Sequence, residues 1–470
     1  MKFSPLPHLL LPALLAIAAS ANAQTLTPDQ KLLRDIYKEL IEINTTDSAG
    51  DTTRAARAMA KRLRAGGFKD ADIHIVVPPG APKKGNLVAR LEGTGARRPI
   101  LLLAHLDVVE AKREDWTRDP FKLVEENGTF YARGAIDDKA MASVFVANVI
   151  RMKREGFRPD RDLILALTAD EEIVPSRFNG LEYLLRNRRD LIDAAFALNE
   201  GGGGVIDRSG KYLFYGVEAG EKVFQTYRLE VTNPGGHSAL PSKDNAIYHL
   251  AEGLARLGRF DFPVKLSEIT RAYFERASRV QTGQLAEDMR AILREPPDAA
   301  AIERLSRSPL QNAQMRTTCV ATMLDAGHAT NALPQRARAV VNCRILPGEP
   351  VDEVRVTLVR VLADDRISVT PDGEPVLSPP APLAPEIMQP VERIAGEMWP
   401  GVPVIPTMLA GATDGRFLNN AGIPTYGISG LFRSADGSGV HGLNEHVGAR
   451  SLYESGEFLY RLVKALSSPD

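Results

Sequence analysis

The sequence has few cysteines, no excess of charge of either sign, and no long apolar run beyond its first residues. Two cysteines among 470 residues exclude a disulfide-rich scaffold, so packing must stabilise the fold. The 58 basic and 59 acidic side chains give a net charge of −1, which excludes an electrostatic nucleic-acid binder. A charged fraction of 25% excludes a polytopic membrane protein, and 44% hydrophobic residues exclude a largely disordered chain.

Two further absences narrow the choice of fold and function. The sequence contains no Gly-x-Ser-x-Gly motif, and the nearest segment, Gly427-Ile428-Ser429-Gly430, has the wrong spacing for a nucleophile elbow. This absence disfavours a serine hydrolase. The sequence also contains no tandem repeat and no low-complexity tract.

The first 23 residues have the features of a secretory signal peptide. Lys2 gives a positive start, Leu9–Ala19 is apolar, and Ala21-Asn22-Ala23 fits a small-x-small cleavage site. The apolar run is shorter than the ~20 residues that a membrane-spanning helix needs. We therefore predict export to a bacterial periplasm, with a mature chain that starts at Gln24 and has no membrane anchor.

The two cysteines, Cys319 and Cys343, lie in two predicted strands. An oxidising compartment would allow a disulfide between them, and two buried free thiols are the alternative. Because sequence gives no distance between the sulfur atoms, both interpretations stay open at this stage.

Apolar runs and helical patterns alternate in the first and last parts of the chain. Residues 29–65 and Ala140–Lys153 have helical spacing of their apolar positions. Runs typical of buried strands are Ile73–Val77, Leu87–Leu91, Ile100–Leu103, Leu163–Thr168, Ala195–Leu198, Pro403–Pro406 and Thr425–Ile428. This alternation predicts an α/β catalytic domain with a central mixed sheet, formed by residues 24–221 and 380–470.

The middle of the chain has a different pattern. Its predicted elements, in order, are the strand Phe224–Val231, the helix Ala246–Leu257, the strands Thr317–Leu324 and Ala337–Leu346, the helix Val351–Ala363 and the strand Arg366–Thr370. This order is the ferredoxin-like α+β pattern. We therefore predict that residues 222–379 form a smaller domain that interrupts the catalytic domain, with a helical insert at residues 260–315.

Histidines and acidic residues follow several of the predicted strands. Ile100–Leu103 runs into His105-x-Asp107, where alternate residues of an extended chain face the same side. A histidine nitrogen there can bind a metal while the carboxylate behind it orients the ring. A lone His-x-Asp is a weak signal, and a chance occurrence is its default interpretation.

Three more acidic segments and a second histidine share this placement. They are Asp137-Asp138 before a helix, Asp170-Glu171-Glu172, Asn199-Glu200 and His441-Gly-x-Asn-Glu445. Taken singly, they read as a helix N-cap, a solvated turn or a flexible loop. Jointly they indicate a site, because ligands bind at the carboxyl ends of strands in open α/β sheets.

These motifs, in this order, resemble the di-zinc metallopeptidase family of glutamate carboxypeptidase, aminoacylase, carboxypeptidase S and succinyl-diaminopimelate desuccinylase. The resemblance covers essentially the whole mature chain. The stretch Ala104–Lys139 looks most like carboxypeptidase S and its secreted N-acyl-amino-acid relatives, with Asp115-Trp116 and Pro120-Phe121 between the motifs. The resemblance implies the α/β catalytic domain with an inserted lid and dimerisation domain.

The resemblance also implies a role for each motif residue. Two Zn²⁺ ions share Asp137 as a bridge. His105 and Glu200 complete one metal, and Glu172 and His441 complete the other. Glu171 is the general base, and Asp107 orients His105. Because all the ligands are nitrogen or oxygen donors, Co²⁺ or Mn²⁺ would fit as well as Zn²⁺.

Three residues of the lid would contact the substrate if the resemblance holds. His237 occupies the place of a histidine that reaches across a lid-mediated homodimer into the partner's site. Asn331 and Arg344 match positions that suit a substrate carboxylate, because an amide and a guanidinium are good carboxylate partners. Without the resemblance, His237 would read as a surface turn residue and Arg344 as a charge on a strand.

The predicted activity is metal-dependent hydrolysis of an amide bond next to a residue with a free carboxylate. A carboxypeptidase or dipeptidase acting on a small peptide fits this description, and an N-acyl-amino-acid amidohydrolase is the alternative. A third interpretation is a binding protein on a catalytically dead scaffold. The presence of every expected ligand and of the base speaks against it.

Overall fold

A computed structural model describes residues 25–434 and 436–469. The predicted signal peptide lies outside the described residues. Within them, none of the helices combines the length and the apolar character that crossing a bilayer requires.

The first part of the chain forms five α-helices and nine strands among the described residues. The helices are α1 (Pro28–Ile41), α2 (Thr52–Ala65), α3 (Lys139–Arg154), α4 (Gly180–Asn187) and α5 (Arg189–Ile192). The strands are β1 (Ile73–Val76), β2 (Asn86–Leu91), β3 (Ile100–His105), β4 (Val124–Glu126), β5 (Thr129–Tyr131), β6 (Leu163–Thr168), β7 (Phe196–Asn199), β8 (Gly203–Ile206) and β9 (Tyr212–Glu221).

The middle part forms a second group of elements. Its strands are β10 (Val223–Thr232), β11 (Gly236–His237), β12 (Thr318–Ala326), β13 (Ala332–Leu333), β14 (Arg336–Ile345) and β15 (Ser368–Asp372). Its helices are α6 (Ala246–Leu257), α7 (Glu268–Ala277), α8 (Gly283–Ala291), α9 (Ala299–Ser306), α10 (Pro309–Met315) and α11 (Val351–Leu362).

The last part returns to the first group. Its helices are α12 (Pro385–Met398), α13 (Gly415–Asn420) and α14 (Ala449–Leu466). Its strands are β16 (Val404–Leu409), β17 (Thr425–Gly427), β18 (Phe432–Arg433) and β19 (His446–Gly448).

A large mixed sheet forms the centre of the molecule, with the strand order β1-β2-β6-β3-β7-β17-β9-β8-β18 and with β16 also paired to β9. Strands β6, β3, β7 and β17 run parallel to one another, whereas β1, β2, β8 and β9 supply antiparallel pairs. The prediction of an α/β fold with a central mixed sheet is therefore confirmed.

Helices cover both faces of this sheet, because its central strands are apolar on both sides. Along β3, Leu102 and Ala104 face a core that includes residues of α1, α2, α3 and α14, and Leu101 and Leu103 face a core with α4 and α5. Alternate side chains of a strand point to opposite faces, so β3 is buried along its whole length. This burial fixes the strand that ends in His105.

A second, four-stranded antiparallel sheet has the order β12-β14-β10-β15. With α6 and α11 it repeats the predicted strand-helix-strand-strand-helix-strand order. Its core is formed by residues such as Leu229, Leu250, Val341 and Leu358. Helices α7–α10, between α6 and β12, instead pack on the central sheet, where Phe274 and Met289 share a buried apolar cluster with Ile405 of β16. The domain limits themselves stay a prediction.

The two cysteines are bonded to each other across this second sheet. Cys319 of β12 pairs in register with Cys343 of β14, and their sulfur atoms are 2.00 Å apart. Of the two interpretations left open by the sequence, the structure has the disulfide.

Candidate metal centre

Three neighbouring parallel strands bring the motif residues to one edge of the central sheet. His105 is the last residue of β3, in register with Thr168 at the end of β6. Glu171 and Glu172 follow β6, and Glu200 follows β7, which pairs with the other side of β3. The carboxyl ends of parallel strands meet at the same edge, so these side chains lie together.

Asp137 lies between the two histidines. Its Oδ1 is 3.0 Å from His105 Nε2, and its Oδ2 is 3.3 Å from His441 Nε2. Each histidine faces a second carboxylate: His105 Nε2 is 3.7 Å from Glu200 Oε2, and His441 Nε2 is 2.9 Å from Glu172 Oε2. The arrangement is thus two histidine–carboxylate pairs joined by one aspartate.

The donor atoms are close enough to share metal ions. One potential ligand atom each from His105, Glu171 and Glu200 lies within 4.8 Å of the other two, and the same holds for His105, Asp137 and Glu172. The donors are imidazole nitrogens and carboxylate oxygens, which suit Zn²⁺, Co²⁺ or Mn²⁺. The residues present therefore fit a divalent metal centre.

The crowding of buried carboxylates raises the pKa values of Glu171, His441 and His105. Burial and the charge of Glu200 raise the pKa of Glu171 well above its ordinary value. Hydrogen bonds to Asp137 and Glu172 raise the pKa of His441 to about 10. Burial lowers the pKa of His105, but the charge of Glu200 and the adjacent carboxylates outweigh burial and raise it. An anionic cluster of this kind is stabilised by bound cations.

Asp107 and Asp138, which lie within two residues of predicted metal ligands in the sequence, accept hydrogen bonds from main-chain N–H groups. The Asp107 carboxylate accepts hydrogen bonds from the main-chain N–H groups of Glu171 (3.2 Å) and Glu172 (3.0 Å). It lies 3.7 Å from His105 Nδ1, which is closer to the main-chain oxygen of Asp107, at 3.0 Å. His105 Nδ1 therefore faces both the main-chain oxygen and the carboxylate of Asp107, and the same carboxylate holds the main chain of Glu171, the predicted base. Asp138 accepts from the main-chain N–H of His105 at 3.2 Å, so of the two aspartates only Asp137 contacts the imidazoles of both histidines.

Glu445 supports the segment that carries Asp137. Its Oε1 accepts from the main-chain N–H groups of Ile136 (2.9 Å) and Asp137 (3.0 Å). Its Oε2 accepts from the main-chain N–H of Gly134 (3.0 Å) and from the guanidinium of Arg133 (2.7 Å). Sequence reasoning noted Glu445 in the last motif but gave it no role, because its donors lie about 310 residues away along the chain.

Asp414 is a second buried acid beside the site that sequence reasoning left without a role. Its carboxylate accepts from Asn179 Nδ2 at 2.6 Å and lies 3.3 Å from the Thr168 hydroxyl. Burial raises its pKa to about 6. It anchors the start of α13 to the segment that follows β6.

The pattern of peptidase family M20/M25/M40 matches residues 101–465, which include every residue of the candidate centre. The chain belongs to this family. Its members are metal-dependent hydrolases of peptide or other amide bonds, and the protein is one of them.

Relatives within the M20 family carry two kinds of name. The chain is 30% identical to the N-fatty-acyl-amino acid synthase/hydrolase PM20D1 of Xenopus tropicalis, over 78% of this chain and 72% of the relative. It is 27% identical to the probable carboxypeptidase S-like 2 of Dictyostelium discoideum, over 78% and 71% of the two chains. The M20 metallo-carboxypeptidase Sso-CP2 of Sulfolobus solfataricus has the same fold, with a TM-score of 0.68 at 19% identity, over 94% of this chain and all of that one.

The three predicted substrate residues of this M20 protein lie in two places. His237 and Asn331 are exposed neighbours on the β11–β13 ribbon, where Ser238 N donates to Asn331 O at 3.1 Å. Among the described residues, neither side chain bonds to the metal-ligand cluster. Arg344 lies near the end of β14, in register with Phe224 at the start of β10. The structure thus brings together the predicted ligand set and the predicted base, but not these three residues.

Proposed function

We propose that the protein is a two-metal hydrolase that cleaves the amide bond of a substrate with a free carboxylate. Zn²⁺ is the proposed metal, with Co²⁺ or Mn²⁺ as substitutes. Asp137 would bridge the two ions, with His105 and Glu200 on one and Glu172 and His441 on the other. The convergence of these five side chains at one edge of the sheet is the observation that supports the proposal.

When bound, the two metal ions would polarise the scissile carbonyl and stabilise the charge that develops on its oxygen. Glu171 accepts a proton from the attacking water and delivers it to the nitrogen of the leaving amine. One of its carboxylate oxygens lies within 4.8 Å of potential ligand atoms of His105 and Glu200, close enough to reach a water held there. Asp107 holds the main chain of Glu171 in place during both transfers.

N-acyl amino acids are the first substrate class to test. The relative at 30% identity is named for N-fatty-acyl-amino acids. Peptides with a free carboxyl terminus are the second class, because another relative is named as carboxypeptidase S-like. Both classes leave an amino acid with a free carboxylate on one side of the scissile bond.

A hydrolysis panel tests the proposal. The zinc-loaded protein is incubated with N-acyl-L-phenylalanines of acetyl to dodecanoyl chain length, with a dipeptide and with a tripeptide. We expect amine release from at least one free acid, and loss of nearly all turnover in Glu171→Gln with its two metal ions retained. Two bound metals with no hydrolysis of any substrate would instead favour a binding protein on the same scaffold.

We also propose that the protein is exported to a periplasm and forms a homodimer through the second sheet. The edge strand β12 is nine residues long and carries Val320, Met323 and Leu324, which are 61%, 68% and 67% exposed. An exposed apolar edge strand favours pairing with another chain. In such a dimer, His237 would contact the partner's substrate.

A further inference from the structure

The exposed face of α2 carries only positive charge. The sequence of this 14-residue helix contains basic residues and no acidic one. Arg54, Arg57, Lys61 and Arg64 are exposed, whereas the opposite face of the helix is apolar and buried. Their spacing places the four side chains on one side of the helix, over a length of about 15 Å. Because the whole chain has a net charge of −1, this basic face of α2 is a local concentration of positive charge.

Most of these charges have no acidic partner. Across residues 25–434 and 436–469, Arg54, Arg57 and Lys61 form no ion pair, and Arg64 pairs with Asp70 at 2.5 Å. The Asp70 side chain is 83% exposed, so water screens this pair and weakens it. The basic face is therefore open to an anionic partner.

The charge pattern does not serve the stability of α2. Residues three or four apart are neighbours on a helix surface, so Arg57 has a like charge beside it on both sides, at Arg54 and Lys61. Arg54 also lies in the first turn, where a positive charge opposes the helix dipole. Both effects cost the helix stability, which favours a role for these residues outside the fold.

Two lysines continue the positive charge past the ends of α2. Lys83 lies at the start of the helix, because its main-chain oxygen accepts from the Thr52 hydroxyl at 2.8 Å. Lys153 lies at the other end, where its Nζ is 5.5 Å from the ring centre of Phe68, shortly after the helix. Neither lysine forms an ion pair with another described residue. The positively charged region is therefore longer than the helix itself.

An anionic lipid surface suits this face better than a protein or a nucleic acid does. Within α2, all of which the structure describes, no large apolar side chain is exposed, and such side chains form the core of a protein interface. The helix also lacks the aromatic and amide side chains that stack on bases or read their edges. A bilayer with anionic headgroups needs neither, since it attracts Lys and Arg by charge alone.

The start of α2 lies at the edge of the central sheet that carries the candidate metal centre. Thr53 N donates to Lys83 O at 3.2 Å, and the next residue, Lys84, pairs with Asp170 at 2.6 Å. Asp170 immediately precedes Glu171, the proposed base. Docking through α2 would thus bring this edge toward the lipid, into which an N-acyl amino acid with a long chain partitions.

We propose that the basic face of α2 binds the surface of a bilayer that contains anionic phospholipid. This inference goes beyond the proposed hydrolysis, because the binding needs neither metal nor substrate. Each basic residue near such a surface contributes about a fivefold gain in affinity. The gain falls as salt shortens the Debye length, so the attachment is peripheral and reversible.

Cosedimentation with vesicles tests the inference. The purified protein is mixed with vesicles of phosphatidylglycerol and phosphatidylethanolamine, or of phosphatidylcholine alone, at about 0.01 M and about 0.15 M salt. We expect binding to the anionic vesicles that weakens with salt, and none to phosphatidylcholine. For Arg54→Gln/Arg57→Gln/Lys61→Gln, we expect the affinity for anionic vesicles to fall about tenfold or more.

Two control variants make the comparison specific. Lys211→Gln/Arg294→Gln/Arg360→Gln removes the same charge from three exposed side chains that, within the described ranges, form no ion pair either. It should bind the vesicles like the wild type. Arg54→Lys/Arg57→Lys keeps the charge and should also bind like the wild type, because the bilayer responds to charge rather than to the guanidinium geometry.

The possible results separate the inference from its alternatives. No binding of the wild type to anionic vesicles, or equal affinity of the triple variant and its charge-matched control, would overturn it. Retention by a DNA duplex without binding to vesicles would identify a nucleic-acid surface instead. If the triple variant melts below its control, Arg57→Gln alone replaces it, with an expected loss of about fivefold. Because no substrate is present, the result does not depend on whether the protein hydrolyses amides.

Discussion

At the residue scale, the buried carboxylate of Glu445 holds the segment that carries Asp137 in place. Its two oxygens each accept two N–H groups, three of them from the main chain between Gly134 and Asp137. In Glu445→Gln one oxygen becomes an NH₂ group, which faces two N–H donors in either orientation. We expect the segment with Asp137 to shift and zinc affinity to fall about 10–100-fold.

Competition with a chelator measures that affinity directly. The matched control is Glu125→Gln, which removes the charge of an exposed acid paired with Arg34. Zinc affinity of Glu445→Gln equal to that of Glu125→Gln would mean that Asp137 keeps its place without this support.

Glu221 should make stability depend on pH. Burial raises its pKa from an ordinary 4.5 to about 7. The folded protein therefore binds this proton more tightly than the unfolded chain, and unfolding releases it between pH 4.5 and 7. Stability from this group is fully present below pH 4.5 and is lost as pH rises through 7, by about 3 kcal/mol at most.

Glu221→Gln removes this dependence, because an amide does not titrate. Its side chain can still accept from Thr413 N and donate to the Ser378 hydroxyl. Denaturant unfolding of wild type and variant at pH 5 and pH 8 gives the comparison, with the exposed Glu303→Gln as the control. We expect the variant to lose less stability than wild type between the two pH values. The same loss in both would show that Glu221 does not bind its proton more tightly when folded.

Sequence reasoning identified the site residues that belong to a recognisable short motif. His105, Asp137, Glu200 and His441 each stand in a short motif at the end of a strand or in a loop. Glu221 has no such motif, because its environment depends on a contact with Thr413, 192 residues away along the chain. Burial and partner distances, which a single sequence does not contain, are what single it out.

At the scale of elements, strands buried on both faces were the most predictable. The apolar runs of β3 and β6 coincide with their predicted positions. Residues 29–65 were expected to be helical throughout, but α1 ends at Ile41 and α2 begins at Thr52. The break follows local chemistry, since the Asp51 side chain caps α2 by accepting from Arg54 N.

β9 was not predicted although it is ten residues long and lies inside the central sheet. Gly216 and Gly220 interrupt its apolar pattern, and its Glu218 and Glu221 are buried, against the usual preference of acids for water. β4, β5 and β19 were missed because each is only three residues long. The pairing of β5 with β19 joins segments more than 300 residues apart in the chain, which a sequence pattern does not reveal.

The disulfide should contribute to the stability of the second sheet. It joins residues 24 apart in sequence and closes a loop that includes the β12–β14 connection. The chain-entropy relation gives about 3.5 kcal/mol for a loop of this length. We expect the Cys319→Ala/Cys343→Ala protein to melt at a lower temperature than wild type. Dithiothreitol should lower the wild-type midpoint and leave the double variant unchanged; a wild type insensitive to the reductant would contradict the prediction.

At the scale of the whole molecule, the two sheets divide the proposed site between them. The proposed metal ligands belong to the central sheet and its loops, whereas Arg344, His237 and Asn331 belong to the second sheet and its ribbon. Within the described part of this chain, the side chains of His237 and Asn331 form no hydrogen bond with the proposed metal ligands. A second copy that places its ribbon over the metal centre would bring them there, which is why the proposed dimer matters for activity.

Mixing two inactive variants tests whether His237 acts on the partner. His237→Ala protein keeps Glu171, and Glu171→Gln protein keeps His237. If each site needs the partner's histidine, a mixed dimer has one functional site. An equal mixture, left to exchange subunits, should then recover about a quarter of wild-type turnover, because half of the dimers are mixed and half of their sites are intact.

The interface provides the control for this experiment. Leu324→Lys places a charge on the exposed edge of β12 and should give a monomer in sedimentation, whereas Val356→Lys on α11 should not. With Leu324→Lys in both partners, mixing should recover nothing. Recovery that persists without a dimer, or no recovery from mixed dimers demonstrated by sedimentation, would mean that His237 does not complete the neighbouring site.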